Sequence, residues 1–304
     1  MAGWAEETPL VRYAALTMVH EEEAYFRLWL KHYGAMLGRE NLYVIAHGGD
    51  PSISELAEGC RMIYLPRAVV DGSFDASRFE VLNAYANFLL TQYDGLIAGD
   101  VDELLFVDPA LGLSLVEFAE QHRAASPALR AFGFNVFERA GDHPLDPDKP
   151  ILAQRRHVRC EQDYCKPLVV FSRPEWSVGY HSVRGEPYLP TGLYLAHLHY
   201  FSSQVITSIA EQRAKTLDFN PQIRESRAFR AKWWGNRAKH GRVYMGQMSA
   251  RPVEEFDDRV GELVAELRSN TVQSRWGGRG YTQMAFTERQ GYVLRLPERF
   301  GQVF

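Results

Sequence analysis

Cysteine is scarce in this chain: Cys60, Cys160 and Cys165 are the only three among 304 residues, an odd set that cannot close a complete disulfide framework. Their spacing offers no Cys/His quartet of the kind that holds structural zinc, so buried thiols are expected. Long apolar runs are missing as well. Stretches such as Ala14 to Val19 fall far short of the ~20 residues that a bilayer-spanning helix needs. The opening MAGWAEETPLVRY carries acidic residues where a signal peptide has basic ones and lacks an apolar stretch. No export signal is expected, and a cytoplasmic location is the corresponding expectation. Excess positive charge is also absent: 34 Lys and Arg against 38 Asp and Glu give −4, which argues against a surface built to coat nucleic acid. There is neither an internal repeat nor a low-complexity segment. What is present is apolar mass, 46% hydrophobic and 12% aromatic residues, enough for a sizeable core in one large domain or two small ones.

The patterning alternates. Val11 to Val19 is an apolar run bounded by charge, which reads as a buried strand; Glu21 to Leu37 follows with Tyr25, Leu28, Trp29, His32 and Met36 on a helical stripe. Leu42 to Ala46 is a second short run, Pro51 with a Ser52/Glu55 capping box opens a helix, and Arg61 to Leu65 is a third run. Asp75 is a candidate N-cap for a helix to Tyr93. Succession of this kind predicts βαβ units and a parallel sheet. Leu96 to Ala98 is the next strand, Ser114 and Glu117 offer another capping box, and Leu129 to Phe137 alternates like a strand. After the polar DHPLDPDKP loop at 142–150, residues 151–200 read as short antiparallel runs. Beyond Ser203 helical patterns dominate, at Val205 to Leu217, Gln222 to Lys239 and Val253 to Arg268, before an irregular Gly-rich tail.

The strand at Leu96 runs directly into Gly99-Asp100-Val101-Asp102-Glu103. In open α/β sheets ligands bind beyond the carboxyl ends of strands, so these carboxylates are well placed. Asp100 and Asp102, at i and i+2 around an apolar valine, would leave the strand end on one side with oxygens able to share a cation. Hard carboxylate oxygens suit Mg²⁺ or Mn²⁺, which take their remaining ligands from phosphate and water. An isolated Asp-x-Asp is also a common solvated turn.

Three further segments give this one a context. Thr17-Met18-Val19-His20-Glu21-Glu22 with Tyr25 to Tyr33, then Tyr43 to Asp50, then Gly99 to Phe106, and last His197-Leu198-His199-Tyr200-Phe201-Ser202-Ser203 with Lys215 resemble, in order, blocks of the glycosyltransferase family 2-like enzymes of GT-A fold. The likeness covers residues 12–216 in pieces and departs from the family pattern at His20 and Glu21, where Lys and Asn are usual. It implies a GT-A-like, Rossmann-like α/β fold with a mainly parallel twisted sheet flanked by helices and a helical C-terminal extension. A catalytic core over 1–202 would comprise a nucleotide-binding half to about 106 and an acceptor half over 107–202, with the helical region at 203–304. The implied activity is transfer of a sugar from a nucleotide-diphosphate donor to a glycan, lipid-linked or other hydroxyl acceptor, an anionic one included, as in polysaccharide biosynthesis, with inversion and with Mn²⁺ or Mg²⁺. Carried over by position, Asp102 matches the metal ligand, Asp100 the aspartate near ribose and metal, Glu22 the turn glutamate beside the nucleotide, and Asp50 the aspartate of the turn after the second strand.

The residues themselves extend this reading. His197 and His199 alternate with leucines and would face one side, with His199 the better match to a metal or diphosphate ligand. Glycosyl transfer also needs a base on the acceptor hydroxyl. In Cys160-Glu161-Gln162-Asp163-Tyr164-Cys165-Lys166, Asp163 is the candidate, with Glu161 and His181 as rivals. Over 213–242 there are nine Lys or Arg against Asp218 and Glu225. A helix there would align Arg224, Arg227, Arg230, Trp234 and Arg237 as a basic stripe suited to peripheral contact with anionic lipid at the inner face of a membrane, or to an acidic acceptor. Two other readings compete: a metal-dependent phosphohydrolase or nuclease using Asp100, Asp102 and Glu103, and a non-catalytic carbohydrate-binding relative. Arg78 reads as a surface partner of Asp75 or Glu80, with a phosphate contact as its alternative.

Overall fold

The computed structural model describes residues 11–66, 74–218 and 237–304, with the side chains at 212–218 and 237 also outside the description. The expected stripe of Arg224, Arg227, Arg230, Trp234 and Arg237, and the side chains of Arg213 and Lys215, therefore lie outside the described residues.

The chain begins as expected, with β1 (Tyr13–Val19), α1 (Glu23–Leu37), β2 (Leu42–His47), α2 (Pro51–Leu56), β3 (Arg61–Leu65), α3 (Phe74–Leu89) and β4 (Gly95–Ala98). Strands β3, β2, β1 and β4 pair in parallel in that spatial order. Every residue of β1 and β4 is buried, because a parallel strand covered on both faces needs a continuous apolar run. Helix α1 packs Tyr25, Phe26, Trp29, Leu30 and Tyr33 inward, so of the expected stripe Tyr25 and Trp29 are buried while Leu28, His32 and Met36 are half-buried at its border. One capping expectation is corrected: α2 is capped by Asp50, whose Oδ1 accepts from Ser52 N at 2.9 Å, with Pro51 in the first turn, rather than by a Ser52/Glu55 box. Helix α3 runs from Phe74 to Leu89, so Asp75 lies inside its first turn rather than capping it and Tyr93 lies past its end.

Next come β5 (Glu103–Val107), α4 (Leu115–His122), β6 (Ala128–Leu129), β7 (Phe132–Phe137), α5 (Ile151–Gln154), β8 (His157–Cys160), β9 (Val169–Val170) and β10 (Leu193–Tyr200). The Ser114/Glu117 capping box is present on both sides of the exchange. Strands β9 and β6 extend the first sheet antiparallel beyond β4. Strands β5, β7, β8 and β10 belong to a second, six-stranded sheet, in which β10 lies between β7 and β5.

The C-terminal region holds the helices α6 (Ser203–Asp218), α7 (Arg237–Ser249) and α8 (Phe256–Ser269), together with the short strands β11 (Val253–Glu255), β12 (Thr271–Gln273), β13 (Thr282–Met284) and β14 (Val293–Arg295). It is thus less purely helical than the sequence suggests. Val253 to Glu255 is strand, and β14 inserts between β11 and β8 in the second sheet. Leu16, Ile45, Leu96, Leu105, Phe134, Leu195, Phe256 and Phe300 belong to one continuous core that joins the two sheets. No described helix is long and apolar enough to cross a membrane. The whole is an α/β fold with a mostly parallel sheet flanked by helices.

Candidate active site

The spatial order β3-β2-β1-β4 makes the chain turn one way from β1 to β2 and the other way to β4. Between β1 and β4 lies a topological switch point, where open sheets leave a crevice. It is stitched by Gly99 N donating to Leu16 O at 3.3 Å and Thr17 Oγ1 donating to Gly99 O at 2.9 Å. Asp100 follows immediately. Residues 100–103 form a tight turn, closed by Glu103 N to Asp100 O at 3.0 Å, and β5 starts at Glu103.

That turn delivers Asp102 and Glu103 to the end of β10. Glu103 is registered against His197, and Leu198 N donates to Asp102 O at 2.8 Å. Alternation along β10 puts His197 and His199 on one face with their rings stacked at 5.7 Å. Asp102 Oδ2 lies 3.3 Å from His197 Nε2 and 3.7 Å from His199 Nδ1. The His197 ring is held from two further sides. Tyr164 stacks on it at 3.8 Å, and Nδ1 meets Asn135 Oδ1 at 2.5 Å. Asn135 Nδ2 donates to Tyr244 Oη at 3.0 Å, which leaves Oδ1 as the acceptor and places the imidazole proton on Nδ1. Nε2 is the ring nitrogen that faces Asp102, and it is the one a bound metal would take.

The two adjacent carboxylates titrate in opposite directions. Burial pushes the Asp102 carboxyl up, but the flanking His197 and His199 rings outweigh it and hold the group well below its usual value. Burial pushes Glu103 up to about 8 despite the Lys166 ammonium against its Oε1, because Asp100 and Asp102 add like charge. Lys166 and Glu103 are both 2% exposed. Asp100 faces two cations, with Oδ1 at 3.8 Å from Arg78 and Oδ2 at 4.0 Å from Lys166. Arg78 is thus more than a surface partner of Asp75, which it also meets at 3.4 Å.

The cluster could hold a metal ion. One ligand atom each from Asp102, Glu103 and His197 lie within 4.8 Å of one another. Glu103 Oε2 is buried and has no hydrogen-bond partner. Two carboxylate oxygens and one imidazole nitrogen suit a hard or borderline divalent cation, so the residues fit. Of the expected set of Asp100, Asp102 and His199, Asp102 belongs to this trio, His199 lies 3.7 Å from Asp102, and Asp100 faces Arg78 and Lys166. Residues 100–102 turn rather than continue a strand, and strand pairing brings Glu103 to His197.

The other expected residues are spread around this point. Glu22 precedes α1 as its N-cap residue and makes no capping bond with its side chain. Beside it, Glu21 adopts a left-handed φ of 56°. A pocket of about 500 Å³ is bounded there by Glu21, Glu23, Arg27, Ser52, Gln204 and Ser208, from the starts of α1, α2 and α6. Asp50 is engaged in capping α2. Asp163 pairs through Oδ2 with Arg275, while its Oδ1 is buried with no hydrogen-bond partner. His181 Nδ1 donates to Asp163 O at 2.7 Å, and burial, aided by Lys166, lowers this ring to about 3, which makes it a poor proton acceptor. Lys166, Asn135 and Tyr164 were not singled out by sequence. Only Lys166 carried a signal, as a lone charge opening the apolar run CKPLVVF.

No family model matches the chain, and no curated protein does. Among solved structures it is similar to mannose-1-phosphate geranyltransferase from Thermus thermophilus, at 11% identity and a TM-score of 0.30, over 96% of this chain and 77% of that one. It is also similar to mouse xyloside xylosyltransferase 1, at 11% identity and a TM-score of 0.23, over 43% of this chain and 53% of that one. A third is CMP:2-keto-3-deoxy-manno-octonic acid synthetase complexed with CTP, at 15% identity and a TM-score of 0.23, over 53% and 65%. Likenesses at these scores carry no argument about this chain's chemistry.

Proposed function

We propose that the chain is a metal-assisted glycosyltransferase that moves a sugar from a nucleotide-diphosphate donor to a hydroxyl acceptor. The observation that carries this reading is the Asp102, Glu103 and His197 trio at the carboxyl end of β4, beside the switch point where such sheets bind ligands. The pocket at the ends of β1 and β2 is large enough for a nucleoside, and the carboxylates of Glu21 and Glu23 on its wall suit ribose hydroxyls.

Asp102, Glu103 and His197 would hold Mn²⁺ or Mg²⁺, which when bound offsets the charge that grows on the departing diphosphate. Asp102 stays anionic through its histidine neighbours, and the Nδ1–H bond to Asn135 fixes the His197 ring with Nε2 toward Asp102 and the metal position. Arg78 and Lys166 flank Asp100 and add fixed positive charge beside the phosphate position. Asp163, held by Arg275 through Oδ2 and with Oδ1 buried and unbonded, is the carboxylate that would take the acceptor hydroxyl's proton as the nucleophile attacks.

Calorimetric titration with UDP, GDP, CDP and dTDP, with Mn²⁺ present and then chelated, tests the reading. Binding of one nucleotide that needs both the metal and Asp102, judged with a folded Asp102→Ala variant, is the expected result. No binding of any of the four overturns it.

A further inference from the structure

A second concavity, of about 250 Å³, opens beside Asp163. One wall comes from the end of β8 and the turn after it, with Arg159, Glu161 and Asp163; the other comes from Arg275 and the 286–290 loop, with Glu288 and Arg289. That loop is fastened at three points by different elements. Phe286 N donates to Gln162 Oε1 at 2.9 Å, Thr287 N to Glu266 Oε1 at 2.7 Å, and Arg251 Nη1 to Gln290 O at 2.7 Å. The wall is therefore built in advance of any ligand.

Its chemistry is mixed and balanced. Three guanidiniums face three carboxyl groups, and within the pocket Arg275 already pairs with Asp163 while Arg159 lies 3.7 Å from Glu161. Asp163 Oδ1 is left buried without a hydrogen-bond partner. Such a set gives no net preference for a charged ligand: an acid would meet Glu161, Asp163 and Glu288, and an amine would meet the arginines. A group that both donates and accepts, repeatedly and in several directions, satisfies it, and that is the property of sugar hydroxyls. The volume is below the ~300–1,000 Å³ of sites for drug-sized molecules and suits a single ring. Tyr164, the next residue after Asp163, stacks on His197 of the metal-binding trio.

We propose that this pocket is a subsite for one uncharged, hydroxyl-rich sugar ring, held by Asp163 Oδ1 and the surrounding arginines, and that this ring is the acceptor's reactive end. Calling the ring an acceptor rests on the transferase reading above; the pocket's preference for a neutral sugar does not.

The test uses saturation-transfer NMR on the full chain with the methyl glycosides of glucose, galactose, mannose, N-acetylglucosamine and glucuronate, with and without Mn²⁺ and each of the four nucleoside diphosphates. At least one neutral glycoside is expected to bind, to lose its signal in Asp163→Ala, and to bind about three- to tenfold more weakly in Arg289→Ala, the equivalent of one hydrogen bond. Arg289 is exposed, so its variant does not endanger the fold. The subsite is overturned if no neutral glycoside binds, if binding survives both substitutions, or if glucuronate binds tightest. Nucleotide binding without glycoside binding removes the subsite and leaves the transferase reading. Asp163-dependent glycoside binding without nucleotide binding removes that reading and supports the subsite.

Discussion

Glu103→Gln isolates the cost of placing a carboxylate in this core. Burial keeps the Glu103 proton in place up to about pH 8 in the folded chain, whereas an ordinary glutamate loses it near 4.5. Below about pH 4.5 both the folded and the unfolded chain carry the proton, and the group leaves stability unchanged. Between 4.5 and about 8 only the unfolded chain ionises, so stability falls as pH rises; above about 8 the fall is complete. At about 1.4 kcal/mol per tenfold change in proton affinity, that gap corresponds to about 5 kcal/mol. Glutamine keeps the shape and removes the titration. Urea unfolding followed by tryptophan fluorescence, with a chelator present so that no cation shares the carboxylate, measures both proteins from about pH 4.5 to about pH 8.5. The variant should gain on the wild type steadily across that range, approaching about 5 kcal/mol at the alkaline end. A difference independent of pH refutes the reasoning. A gain by the wild type instead would mean that the Lys166 ion pair outweighs burial, the reverse of the balance argued here.

Two further substitutions probe how the site is supported. A Cβ at Gly133 would lie 2.0 Å from the carbonyl oxygen of Tyr164, backbone that cannot yield cheaply. Gly133→Ala should therefore displace Tyr164 from its stack on His197, cost about 1–3 kcal/mol in chemical denaturation, and weaken metal-dependent nucleotide binding; unchanged stability and binding would refute the close approach. Asp50→Ala should lose about 1 kcal/mol through its missing cap on α2, with nucleotide affinity within about twofold of the wild type. A tenfold loss of affinity would instead make Asp50 a ligand contact.

Much of the nucleotide half was legible in the sequence because its signals are local. The apolar runs of β1, β2 and β4, the helical period of α1 and the Ser114/Glu117 box each depend on neighbours within a few residues. The position of Asp100 to Glu103 after a buried strand was legible for the same reason. The grouping of the site was not. Whether Asp102 meets Asp100 or Glu103 depends on the turn at 100–103 and on the β5–β10 register, and that register pairs residues 94 positions apart, Glu103 with His197. Lys166 reaches Glu103 across 63 positions, and Tyr244 reaches Asn135 across 109.

The sequence by itself determined the α/β character, the Ser114/Glu117-capped start of α4, and the carboxylates at the end of β4. It did so because periodicity, caps and strand ends are written in adjacent residues. Only the tertiary structure decided that the C-terminal segment returns as β14 in the second sheet and that Glu103 and His197 join Asp102 in one group. Those outcomes follow from burial and strand register, which combine distant parts of the chain and set each carboxylate's charge by what surrounds it.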